Sequence, residues 1–150
     1  MKKYQKILVG VDGSPQAHAA FERALELAKQ NDATLIIASI LNADKYVGMG
    51  LALGASYINK AAEVDLLDRL QDSGQVLVSQ AKRLGIEDVI LEVTQGNSKT
   101  ALAEDLVVKY GADLIVIGAT GTNMVERVLI GSNAHFVVQH ARVDVLVVRE

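Results

Sequence analysis

A chain of 150 residues, half of them apolar, is long enough to bury one substantial core and reads as a single domain over residues 1–150. Its 15 basic and 18 acidic side chains are interspersed and sum to −3, which leaves no basic face for a nucleic acid, and the absence of cysteine excludes a disulfide framework and a thiolate metal site. No apolar run approaches the roughly 20 residues that a membrane span needs, so a soluble protein of a reducing cytoplasm, with no membrane partner, is expected.

The N-terminal Lys2 and Lys3 precede an apolar stretch, but that stretch is short and is broken by Asp12 and Gly13, so it reads as a strand rather than a leader. Four more runs share its short, β-branched, non-alternating character: Leu35 to Leu41, Val89 to Val93, Leu114 to Ile117 and Val143 to Val148. With Ile7 to Val11 they suit strands covered on both faces. Ser14 before Pro15 is a helix start, because the hydroxyl caps and proline's missing N–H costs nothing in the first turn. Helical stripes follow at Ala17, Phe21, Ala24, Leu25 and Ala28, at Val64, Leu67, Leu70, Leu77, Ala81 and Leu84, at Leu102 and Leu106, and at Ala134, Val137, Val138 and Ala141. Strands alternating with helices predict right-handed crossovers and a doubly wound parallel α/β sheet with helices on both faces. The Gly-containing stretch Asn42 to Ser56 reads as a loop, either a plain crossover or a cover for a ligand or partner.

The most informative segment is GATGTNMVERVLIGS, Gly118 to Ser132. Gly118 and Gly121 end an apolar strand, where missing Cβ atoms permit positive φ and close approach of an anion to backbone amides. Gly131 and Ser132 then open a helix, whose unpaired N–H groups attract phosphate without a lysine. Ala119, Thr120 and Thr122 add amides or hydroxyls within the loop, and Asn133 sits just inside the helix.

The spacing Gly-x2-Gly-x9-Gly-Ser resembles the nucleotide motif of the ATP-binding branch of the universal stress protein family. The opening KILVGVDGS (Lys6 to Ser14), GADLIVIGATG (Gly111 to Gly121) and VDVLVVR (Val143 to Arg149) follow in the family's order, so the resemblance spans nearly the whole chain. It implies a five-stranded sheet of order 3-2-1-4-5, an adenine nucleotide alpha hydrolase-like fold with its crevice between the first and fourth strands. It also implies ATP as ligand, with ADP or AMP as alternatives and Mg²⁺ arriving with the phosphates. Asp12, an acceptor-only carboxylate, is assigned to the nucleoside, although a turn aspartate before Gly13 explains the same residue. Ile40, at the end of the second strand, and Val11 are matched to the adenine ring, and Gly118, Ala119, Gly121, Thr122, Gly131, Ser132 and Asn133 to the phosphates. The resemblance further implies a homodimer through Val143 to Val148, an apolar edge that invites pairing with another chain.

The family usually carries a glycine after the third strand and often a proline two residues later; here Gly96 is present and Ser98 replaces the proline, leaving helix capping by Asn97 or Ser98 as that loop's default role. Val11-Asp12-Gly13-Ser14-Pro15 is neither a dinucleotide Gly-x-Gly-x-x-Gly nor the Ser-Gly-Gly-x-Asp-Ser turn of ATP pyrophosphatases, and no lysine follows either glycine pair as a P-loop demands. Gln95-Gly96-Asn97 stands where a receiver would place its phosphoacceptor aspartate. His18, His135 and His140 sit in predicted helices without a nucleophile partner, so no catalytic and no metal-ligating residue is assigned. The expected function is therefore a nucleotide-dependent stress sensor or regulator; a slow ATP hydrolase in the same cleft and a ligand-free dimeric interaction module are its rivals.

Overall fold

The computed structural model describes residues 3–42, 60–120 and 130–149. Five strands form one parallel sheet: β1 (Lys6–Gly10), β2 (Thr34–Leu41), β3 (Val89–Gln95), β4 (Leu114–Gly118) and β5 (Asp144–Val148), in the order β3-β2-β1-β4-β5. The register aligns Ile7 with Leu35 and Leu114, and Gly118 with Val148. Strand existence and order thus match expectation; β1 ends at Gly10, and Val11 continues it only through its N–H, which donates to Ala38 O at 2.9 Å.

The connecting helices are α1 (Pro15–Asn31), α2 (Lys60–Arg83), α3 (Ser98–Thr100), a π-helical turn (Ala101–Asp105), α4 (Leu106–Tyr110) and α5 (Ser132–His140). Because side chains alternate along a strand, each strand feeds two cores. Ile7, Val9, Leu35, Ile37 and Val116 pack with Phe21, Ala24 and Leu25 of α1 and Ala81 of α2. Leu8, Ile36, Ala38, Ile115 and Ile117 pack on the opposite face with Leu102, Leu106, Ala134 and Val137. Burial on both faces is why the strands read as continuous apolar runs.

Ser14 caps α1: its Oγ accepts the Ala17 N–H at 3.1 Å, with Pro15 in the first turn. The expected stripe Ala17, Phe21, Ala24, Leu25, Ala28 is buried throughout. The stripe on α2 is not. Ala81 is buried, but Val64 is 47% exposed, and Leu84 lies past the helix end and is 46% exposed. The reason is length. A helix of 24 residues spans about 36 Å, whereas the seven residues of β3 span about 23 Å. The N-terminal turns of α2 therefore overhang the sheet. On α5, Ala134 and Val137 face the sheet, whereas Val138, one residue further round, is exposed and Ala141 lies beyond the helix.

At the far end of the sheet Tyr4 Oη donates to Asp144 Oδ2 at 2.8 Å, tying the chain start to β5, and this hydrogen bond holds the phenol above its ordinary pKa.

Candidate nucleotide site

Two features meet beyond the carboxyl ends of β1 and β4, where the strand order reverses and ligands of doubly wound sheets bind. The first is the turn from β1 into α1. Gly13 adopts φ +82°, a left-handed conformation that glycine alone takes without strain. Asp12 Oδ1 accepts the Ser14 N–H at 2.9 Å, closing an Asx turn. The turn reading of Asp12 thus holds, and it does not displace the other: the carboxylate is exposed, and Oδ2 has no partner among the described residues.

This turn forms one wall of a cavity of about 470 Å³. Val11 and Asp12 line it from the turn after β1, Pro15, Ala17, His18 and Phe21 from α1, Ser39 from β2, and Leu70, Ser73, Gly74 and Leu77 from α2. The space is sized for a ring system and is mostly apolar. Of the expected nucleoside residues, Val11 and Asp12 line it and Ile40 does not. Strand alternation separates them: Val11 packs with the core under α1, while Ile40 packs with the core on the other face.

The second feature is the glycine motif. Gly118 is the last residue of β4, but its φ is not positive, so it does not act by turning the chain. A Cβ there would lie 2.9 Å from the carbonyl carbon and oxygen of Gln16. Glycine is required because the first turn of α1 packs directly on the strand end, a steric role that the strand-end pattern does not reveal. Beyond it, the Ala119 N–H donates to Val148 O at 2.8 Å, the Thr120 N–H to Gln16 Oε1 at 2.8 Å, and the Gly131 N–H to Ala119 O at 2.6 Å. Three of the amides offered by the motif are therefore engaged within the protein.

The N-terminus of α5 is different. Gly131 is its N-cap residue and supplies no side-chain cap, so the first-turn amides of Ser132, Asn133 and Ala134 have no partner among the described residues. Orphan donors with the positive end of the helix dipole behind them fit an anion. Ser132 is exposed beside them, and the Asn133 side chain is held through Oδ1 by the Ser98 hydroxyl at 3.3 Å. Ser98 sits just inside α3, which Asn97 caps by accepting the Lys99 N–H at 2.9 Å. Gly121, Thr122 and Arg127 lie outside the described residues.

Sequence pattern missed Gln16, the contact of Ser98 with Asn133 and the α2 wall. Gln16 is an unremarked polar position in a first helical turn, and nothing local signals that it reaches Thr120. Leu70 and Leu77 were visible in a periodic stripe, but Ser73 and Gly74 were not, and only the packing of α2 on β3, with Gly74 against Leu91, makes the four a cavity wall. His18 lines the cavity with its Nε2 3.3 Å from Glu22, while His135 and His140 are exposed on α5.

A parallel sheet of this order under two helical layers is the adenine nucleotide alpha hydrolase-like fold shared with bacterial UspA. The chain belongs to the universal stress protein family, whose family model matches residues 3–149. A relative from Staphylococcus haemolyticus that bears the universal stress protein name is 36% identical over 151 residues, covering 99% of this chain and 87% of its own length. Among solved structures, the universal stress protein UspA from Lactobacillus plantarum is similar with a TM-score of 0.69 and 30% identity, covering 99% of this chain and 100% of that one. A universal stress protein crystallised in complex with cAMP has a TM-score of 0.70 and 27% identity, covering 99% of this chain and 98% of that one.

Proposed function

We propose that this universal stress protein binds an adenine nucleotide, ATP in the first instance, and acts as a regulator whose state depends on occupancy rather than as an efficient enzyme. The observation that carries this reading is the uncapped start of α5, three donors with no partner among the described residues, at the strand-order reversal. In this reading the amides of Ser132, Asn133 and Ala134 and the Ser132 hydroxyl take the phosphates, with Mg²⁺ carried by the phosphates themselves. Asp12 takes ribose hydroxyls through Oδ2, which has no partner among the described residues, and the apolar wall containing Val11 takes the base. A structural neighbour crystallised with cAMP supports an adenine nucleotide as the ligand class.

Calorimetric titration of Mg-ATP into nucleotide-stripped protein is expected to show saturable one-site binding, with adenosine binding more weakly at the same site. Folded protein that gives no heat with either ligand at several temperatures would sink this reading in favour of a ligand-free interaction module.

We also infer a homodimer. Among the described residues β5 is an edge strand paired on one side, and Val145, Leu146, Val147 and Val148 are half-buried along it. Pairing with a second copy across a two-fold axis covers this edge. Sedimentation equilibrium is expected to give twice the chain mass of 16.1 kDa; a monomer at all concentrations would contradict it.

A further inference from the structure

On the β4 side, the first backbone amide beyond the sheet is that of Thr120, since the Ala119 N–H still donates to Val148 and extends the β4–β5 pairing. Thr120 turns instead to a side chain from a distant part of the sequence, donating to Gln16 Oε1 at 2.8 Å. A backbone N–H needs an acceptor, so it is the oxygen of the Gln16 amide that faces Thr120. The contact depends on Gly118: only its missing Cβ lets the Gln16 backbone come within 2.9 Å of that position and bring the side chain to Thr120.

A carboxamide oxygen accepting a loop amide does what an oxygen of a bound phosphate would do. We propose that Gln16 is an internal gate on the phosphate side of the site: its Oε1 holds the Thr120 amide in the ligand-free protein and must leave before that amide donates to a phosphate. Gln16 then sets affinity for phosphorylated ligands and leaves the nucleoside half untouched. The inference rests on the nucleotide reading above. The exchange is readily reversible, because a displaced Gln16 side chain, at the partly exposed first turn of α1, is solvated by water.

The test compares wild type, Gln16→Ala and Gln16→Glu by calorimetry with Mg-ATP and with adenosine, and by amide hydrogen exchange at Thr120 without ligand. Both substitutions sit in the first turn of α1, where Ala and Glu favour the helix and Glu suits the dipole, so the variants are expected to fold. Removing one competing neutral hydrogen bond is expected to tighten Mg-ATP binding by about 3- to 10-fold in Gln16→Ala. A carboxylate accepts the Thr120 N–H more strongly and repels phosphate, so Gln16→Glu is expected to weaken Mg-ATP binding by roughly 10-fold or more. Adenosine affinity is expected to be unchanged in both, and Thr120 exchange faster in Gln16→Ala. If wild type binds Mg-ATP and Gln16→Ala binds it no more tightly, the gate is overturned while the nucleotide reading stands. Unchanged Thr120 exchange in Gln16→Ala overturns the gate whatever binds. Wild type that binds neither ligand overturns the nucleotide reading, and the gate falls with it.

Discussion

Phe21→Ala is expected to lower the unfolding free energy by about 3–5 kcal/mol, the usual cost of removing a fully buried aromatic ring. Phe21 is 0% exposed and sits at the centre of the core formed by α1, α2 and one face of the sheet. For a domain of this size each kcal/mol moves the midpoint by roughly 2–4 °C, so thermal unfolding is expected to fall by about 6–20 °C. The same ring lines the cavity at the end of β1, so its loss also opens that space downward. Nucleoside affinity is expected to fall along with stability. A midpoint within about 2 °C of wild type would show that the core does not depend on this ring, contrary to its burial.

Gly118→Val is expected to cost about 3 kcal/mol or more, at the upper end of overpacking penalties. Its Cβ alone would meet three backbone atoms of α1, at 2.9 Å (Gln16 C), 2.9 Å (Gln16 O) and 3.1 Å (Ala17 N). Backbone in a capped first turn has no rotamer by which to move aside, so the whole start of α1 must shift. That shift pulls Gln16 from Thr120 and moves the Asp12 turn, so both halves of the site suffer together. Chemical denaturation of Gly118→Ala and Gly118→Val is expected to show a graded loss, the valine larger. Equal stability of both variants with wild type would contradict the close approach.

Much of this arrangement was legible from residues alone. Continuous apolar strands announced a sheet covered on both faces, and Ser14-Pro15 announced the start of α1, because both signals act over a few neighbouring residues. The opening of α5 at Gly131 and Ser132 was legible for the same reason. What pattern did not reveal is long-range. Gly118 is a turn glycine by pattern, whereas its requirement comes from the first turn of α1, distant in sequence, packing on it. Gln16 gained a role only through that packing, and Leu70 and Leu77 became part of a cavity wall only through the packing of α2 on the sheet. Strand alternation likewise sends Val11 and Ile40 to opposite faces, a separation that matching each residue singly to the adenine ring does not register.

The central claim is that phosphates of an adenine nucleotide sit on the uncapped start of α5. Its most direct test is a titration of ¹⁵N-labelled protein with Mg-ATP, following the backbone amides of Ser132, Asn133 and Ala134. Saturable downfield shifts of these three amides are expected with Mg-ATP, and far smaller ones with adenosine. Saturation of the protein by Mg-ATP with these amides unmoved would contradict it.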